Sequence, residues 1–328
     1  MVRRPGGLEL AENQLEVTEP ARGVRHLQGG RGTGRCSFLS TSTRFAVGLF
    51  DWFRKRKDEG LDTGELARRL GVSESDLDCS PRYNVRTIPK RNGGRRRIAE
   101  PSRELKQLQR VILRRLLSRL KAHPAAHGFE KGRSAVTHSA NHCGKKLIVV
   151  LDIEDFFRNT TERRVRDYFR SIGWNEKASE LLTRLTTFEG GLPQGAPTSP
   201  RLSNLVNYTM DLRLSRFCDM RSITYSRYAD DLCFSTDDES WTGQLLRTVP
   251  EILSDFGYRV NRAKTRFLRA HQRQLVTGLV VNEKVNLPRS TRRWLRAVEH
   301  RMLLGGTPTI SEQQFRGWLA YRQMVERR

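Results

Sequence analysis

At 328 residues with 37% hydrophobic content, the chain is long enough to bury one large core or several smaller ones. Its 60 Lys and Arg against 36 Asp and Glu leave a formal net charge of +24, which points to a polyanionic partner, nucleic acid before lipid, because each neutralised phosphate releases counterions. The longest apolar runs fall far short of the roughly 20 residues that span a bilayer, no secretory core follows Met1 and the five scattered cysteines form no Cys-x-x-Cys pair, so a cytoplasmic protein without membrane, zinc or disulfide framework is expected.

Residues 1–45 mix Gly, Arg, Ser and Thr without a sustained apolar period, and the glycines of 29–34 follow no strand that would make them a phosphate loop. A flexible basic arm is expected. Residues 46–82 turn helical, with Phe50, Phe53, Leu61, Leu66 and Leu70 spaced for one face and Gly71-Val72-Ser73 breaking two short helices. The pair resembles half a helix-turn-helix, but such turns recur in many folds, and a packed helical element is the reading taken.

Residues 83–101 read as two strands joined at Asn92-Gly93-Gly94, with Lys90, Arg91, Arg95, Arg96 and Arg97 around the tip. Alone, such a tip is either a solvated edge or a phosphate clamp. Over 104–120, Leu105, Leu108, Val111, Ile112, Leu116 and Leu117 share one face and Lys and Arg the other, predicting an amphipathic basic helix. Leu147 to Leu151 is an apolar run of strand length that ends at Asp152, and helical spacing returns from Thr160 to Leu185 ahead of a Gly/Pro-rich turn. Tyr225 to Phe234 alternates around Tyr228-Ala229-Asp230-Asp231, a hairpin whose turn carries two adjacent acids. In the tail, Trp294, Leu295, Val298 and Met302 keep helical spacing amid many arginines.

Phosphoryl transfer onto a hydroxyl needs charge neutralised on both attacking and leaving oxygens, which two Mg²⁺ ions about 4 Å apart supply when carboxylates hold them. Asp152 at a strand end and Asp230-Asp231 in a hairpin turn meet that need if the two strand elements are neighbours. Singly, each is ordinary turn chemistry. Their order and neighbours carry more: Leu151-Asp152-Ile153-Glu154-Asp155-Phe156-Phe157, then Gly191-Leu192-Pro193-Gln194-Gly195-Ala196-Pro197-Thr198-Ser199-Pro200, then Tyr228-Ala229-Asp230-Asp231.

Over about residues 83–290 this order resembles the reverse transcriptases, and Leu202-Ser203-Asn204-Leu205 with Val276-Thr277-Gly278 resembles the bacterial retron type. Retron enzymes usually carry Asn-Ala-x-x-His before the first catalytic Asp; here the stretch is His138-Ser139-Ala140-Asn141-His142, which agrees only in its final His. The resemblance implies an α/β right-hand polymerase with fingers, a palm on a small antiparallel sheet, a thumb and a helical N-terminal segment. The implied division is an arm over 1–45, a helical segment over 46–82, fingers and palm over 83–285 and a helical thumb over 286–328.

The same resemblance implies roles. Asp152, Asp230 and Asp231 would ligate two Mg²⁺ ions, with the Ile153 carbonyl completing one shell, and Lys264 would neutralise or protonate the leaving pyrophosphate. Asp155 is expected to be structural. Phe157 would be a steric gate against a 2′-hydroxyl, Gln194 and Gly195 would support the incoming nucleotide and template base, and Lys90 and Arg96 would grip the triphosphate. Val276, Thr277 and Gly278, with the thumb's Arg292, Arg293, Arg296 and Arg301, would face RNA or duplex.

The function so implied is an RNA-directed DNA polymerase that consumes deoxynucleoside triphosphates, copies a structured non-coding RNA from a 2′-hydroxyl of that RNA, and makes a branched RNA–DNA hybrid (msDNA) in antiphage defence, with a neighbouring effector protein as a further partner. Its rivals are other bacterial reverse transcriptases, of the group II intron, diversity-generating or abortive-infection kinds, and a non-catalytic nucleic-acid-binding protein. The Val-Thr-Gly segment argues against the first and the intact aspartates against the second.

Overall fold

The computed structural model describes residues 60–89, 93–305 and 309–327. The expected basic arm, Phe50, Phe53, Lys90 and Arg91 lie outside these described residues.

Two short helices open the described chain, α1 (Thr63–Leu70) and α2 (Glu74–Leu77). Asp62 caps α1 by accepting from the Glu65 N–H at 2.8 Å, Gly71 ends it at φ 57°, and Ser73 starts α2 in a capping box with Asp76, which is the break that Gly71-Val72-Ser73 predicts. Strands β1 (Tyr83–Pro89) and β2 (Arg95–Pro101) pair antiparallel from Tyr83 opposite Pro101 to Pro89 opposite Arg95, and Gly93 and Gly94 take the positive φ that a tight reversal demands. Helix α3 (Arg103–Arg115) buries Leu105, Leu108 and Ile112 as its spacing predicts, then tightens into a 3₁₀ turn over Leu117–Arg119.

Helix α4 (Ala135–Ala140) precedes β3 (Leu147–Asp152), and α5 (Phe156–Asn159), α6 (Glu162–Ser171) and α7 (Glu176–Thr186) follow. The helical stretch expected over 160–185 is therefore divided: Gly173 adopts φ 101° and Asn175 caps a new helix. Next come α8 (Ser199–Val206), α9 (Tyr208–Asp219), β4 (Thr224–Tyr228), β5 (Asp231–Thr236), α10 (Thr242–Asp255) and β6 (Arg266–Arg269). A small hairpin, β7 (Leu275–Val276) with β8 (Leu279–Val280), leads to α11 (Arg289–Leu303) and α12 (Glu312–Glu326).

Four strands form the central sheet in the order β4-β5-β3-β6, every pair antiparallel. All six residues of β3 are buried because both faces of the sheet are covered. Leu147, Val149 and Leu151 pack on Met210, Leu214, Leu245, Val249 and Leu253 of α9 and α10, whereas Ile148 and Val150 meet Cys233, Val276 and Val281 on the other face. Each such large apolar side chain contributes about 1.5–3 kcal/mol by leaving water, and a continuous apolar run is what a strand covered on both faces requires.

A second core joins α1, α3, α6, α7 and α8 through Leu66, Leu70, Ile112, Phe169, Leu182 and Leu202. A third holds α11 and α12 to the β7–β8 hairpin and α4 through Val136, Leu279, Leu295 and Val325, with Trp294 and Trp318 edge to face at 5.5 Å. Helices behind a small antiparallel sheet make the fold class the α/β palm that the sequence predicts. Among the described residues, no helix is long and apolar enough to cross a membrane.

Candidate active site

The two carboxylate-bearing elements are neighbours. β3 ends at Asp152, β5 begins at Asp231, and the two residues face each other in register. The β4–β5 turn is only Ala229 and Asp230, with Ala229 at φ 57°, the left-handed conformation such tight hairpins use. Backbone bonds tie the acids across strands: the Ile153 N–H donates to the Asp230 carbonyl at 3.0 Å and the Asn261 N–H to the Asp152 carbonyl at 2.8 Å.

Burial raises the Asp231 carboxyl to about 6, with the charges of Asp230 and Asp152 adding to the effect, and burial followed by Asp152 raises Asp230 too. Lys264, on a 3₁₀ turn, donates to Asp152 Oδ1 at 2.7 Å, and that bond holds its ammonium above the usual lysine value. Among the described residues no three His, Cys, Asp or Glu side chains converge as a ready-made metal cluster; Asp152 is instead turned onto Lys264. The donor set nevertheless suits a hard divalent cation. Two acids repel each other and a third borrows a lysine's charge, a state that a cation bound to the carboxylates would relieve.

Asp152, Asp230 and Lys264 line one side of a cleft of about 640 Å³ that is also lined by Arg95, Arg96, Arg97, Phe129, Phe157 and Gln194. Arg96 is exposed to it, while Arg97 is engaged by Glu189. Phe157 is half-buried, with its ring centroid 5.5 Å from Phe156 and 6.2 Å from Phe129. Asp155 also lines the cleft, at φ 43° and without a side-chain capping bond to α5.

Gly195 makes a close backbone approach within the fold. At φ 132°, a Cβ there would lie 2.8 Å from the Ala99 carbonyl, and the adjacent Gln194 carbonyl accepts from the Ala99 N–H at 2.9 Å. The close approach is to β2, which fastens the basic hairpin beside Gln194.

Arg227 was not singled out by sequence reasoning. It is fully buried in β4, where its guanidinium forks onto Asp211 at 2.8 and 2.6 Å and also donates to Asn204 Oδ1 at 3.1 Å and the Ala229 carbonyl at 3.0 Å. Tyr225 completes Asp211 with a 2.8 Å bond. The side chain thus grips the strained residue next to Asp230. Its signal was an arginine at an inward position of an alternating strand, legible only with Asp211 as partner.

The histidine stretch and the Val-Thr-Gly segment form one unit. His138 Nδ1 meets the Thr277 hydroxyl at 2.8 Å, Ser139 donates to the Val276 carbonyl at 2.9 Å, and His142 bridges Ser226 and Ser235 at 2.7 Å each. Val276 is buried, Thr277 is half-buried with its hydroxyl engaged, and Gly278 is exposed on the turn. Arg292, Arg293 and Arg296 are exposed on α11, opposite buried Leu295 and Val298.

Burial, with Arg133 nearby, holds His127 at about 4; burial, with His127 nearby, holds His138 at about 3; burial keeps His142 well below its ordinary value. The unfolded chain takes up these protons first, near pH 6.5. Stability is therefore expected to be full above that pH and to fall as pH drops toward the folded values, by up to about 1.4 kcal/mol per pH unit for each histidine. Denaturant melts at pH 7.5 and 5 check this, and equal midpoints would mean that the cluster is not held neutral.

Compared with known proteins, residues 88–295 match the family described as reverse transcriptase (RNA-dependent DNA polymerase). The retron Mx162 reverse transcriptase of Myxococcus xanthus is 38% identical over 317 residues, covering 81% of this chain and 64% of its own length. The retron Ec86 reverse transcriptase of Escherichia coli is 35% identical over 248 residues, covering 75% of this chain and 77% of its own. The retron Mx65 reverse transcriptase of Myxococcus xanthus is 36% identical over 288 residues, with 80% and 67% covered. This chain thus spans less than two thirds of the first relative's length.

Proposed function

Because this chain belongs to the reverse transcriptase family, its match running over residues 88–295, we propose that it extends DNA on an RNA template, and that it does so as a retron enzyme on a structured non-coding RNA. One juxtaposition carries the proposal: Asp152 and Asp231 in register, with Asp230 in the adjoining turn, beside a cleft walled by Arg95 to Arg97.

Asp152, Asp230 and Asp231 would hold two Mg²⁺ ions, aided by the Ile153 carbonyl; the ions supply charge neutralisation at the attacking and leaving oxygens. Arg96, with Lys90, grips the triphosphate as cations do phosphate oxygens. Lys264, released from Asp152, supplies charge or a proton to the departing pyrophosphate. Gln194 supports the nascent pair, and the exposed arginines of α11 run along duplex phosphates without reading sequence. In this scheme residues 83–285 are fingers and palm, and 286–328 the thumb.

Support for the retron type is the 35–38% identity to retron reverse transcriptases, together with the Val276-Thr277-Gly278 segment that resembles that type. The proposed product is a branched RNA–DNA hybrid primed from a 2′-hydroxyl, made in the cytoplasm for antiphage defence with a neighbouring effector. Expression of the chain with the non-coding DNA beside its gene tests this. DNA of one length that stays joined to a short RNA remnant after ribonuclease digestion is expected; unbranched DNA alone would favour another class of reverse transcriptase.

Phe157 provides a sugar test. Phe157→Ala is expected to raise ribonucleotide incorporation relative to deoxynucleotide by about tenfold or more, since opening space for one hydroxyl removes a steric penalty of a few kcal/mol. Single-nucleotide kinetics measure the ratio. Unchanged sugar selection would remove Phe157 from the gate.

A further inference from the structure

The loop Gly128-Phe129 occupies the cleft without a role in the scheme above. Phe129 is 46% exposed, a large apolar ring that lines the cleft together with Phe157, the arginines of β2 and the carboxylates. Its φ is +64°, a conformation that bulky side chains avoid and that persists only where the surroundings impose it. A ring kept in water by a strained backbone is not core packing, and its contact with Phe157, tilted 43° at 6.2 Å between centroids, leaves much of it open.

The surroundings impose it in three ways. Gly128 lies so close to the catalytic turn that a Cβ would stand 2.7 Å from the Ala229 N. Asn204 Nδ2 donates to the Gly128 carbonyl and to Glu130 Oε1, both at 2.7 Å, and Arg201 pairs with the same Glu130. Asn204 Oδ1 in turn accepts from Arg227, which also holds the Ala229 carbonyl. The loop bearing Phe129 and the turn bearing Asp230 are therefore braced through the same two side chains.

We propose that Phe129 is a specificity-determining residue: its ring is the apolar wall against which the base pair at the growing end is seated, and the Asn204–Arg227 brace fixes that wall relative to the carboxylates. The inference rests on the polymerase reading. An aromatic wall suits the task because every base presents a π-face whatever the sequence, and a wall held rigid relative to the carboxylates favours a pair that stacks squarely at the growing end. Its neighbour Phe157 would test the sugar while Phe129 tests the seating of the pair.

The test is single-nucleotide incorporation on a primed RNA template by full-length wild type, Phe129→Ala, Phe129→Leu and Phe129→Tyr. For Phe129→Ala the KM for the correct deoxynucleotide is expected to rise about tenfold or more on all four template bases. kcat should stay within about threefold, and extension of a mismatched end should gain on extension of a matched one. Tyr should restore wild-type values and Leu fall between.

An active wild type with unchanged KM and mismatch extension in Phe129→Ala would overturn the inference. So would a loss confined to kcat and melting temperature that Leu and Tyr share, since that marks a loop defect. A folded wild type that extends no primed RNA would instead defeat the polymerase reading, and this inference with it.

Discussion

Asp231→Asn is expected to cut Mg²⁺-dependent deoxynucleotide incorporation by about a thousandfold or more while raising the melting temperature of the metal-free protein. Asn keeps the shape of the side chain and the β5 register with Asp152, so the loss would come from charge. The stabilisation follows from linkage. Burial, then Asp230 and Asp152, lifts the folded Asp231 to about 6 from an ordinary 3.8, so the stability it offers is complete only below the unfolded value and is lost as pH rises through about 6. At pH 7.5 the ionised carboxylate is a burden of about 1–3 kcal/mol that Asn lacks. Steady-state assays and thermal melts in chelator measure both effects. Near-wild-type activity would remove Asp231 from the metal set, and a lower melting temperature would mean that its charge is already compensated.

Arg227→Met is expected to destabilise the fold by about 3–5 kcal/mol, because Asp211 would be left ionised and unpaired in the core. Both partners of this pair have no exposed side-chain surface, and the Ala229 carbonyl and Asn204 would lose their donor. Arg227→Lys should recover little, since an ammonium cannot reproduce the fork on Asp211. Arg227→Met with Asp211→Asn should recover part of the stability without recovering activity, since the grip on the catalytic turn stays absent. Denaturant unfolding of the single and double variants gives the coupling; a cost below about 1 kcal/mol for Arg227→Met would contradict the buried pair.

The elements that could be read from the sequence were those whose cause is local. Asn92-Gly93-Gly94 predicts the β1–β2 reversal because glycines accept positive φ, and the run ending at Asp152 predicts a covered strand because nothing polar interrupts it. The acid pair was legible for the same reason, as a turn between alternating residues. Gly173 inside a helical pattern was the local signal for dividing 160–185, and apolar spacing on either side masked it.

What escaped depends on residues far apart. Arg227 and Asp211 are 16 positions apart, His138 and Thr277 are 139, and His142 and Ser235 are 93; each looks polar and unremarkable until the fold supplies its partner. That Gly195 also packs closely on β2 shows only in the fold. Phe129 resembled any loop aromatic, since only the cleft shows that it stays exposed beside Phe157.

The most direct measurement is incorporation of labelled deoxynucleotides on a primed RNA template by the wild type and by Asp230→Ala/Asp231→Ala, with and without Mg²⁺. Template-directed synthesis by the wild type that needs Mg²⁺ and disappears in the double variant is the expected result. Equal incorporation by both proteins, or none by a folded wild type on the primed RNA template, would contradict the account.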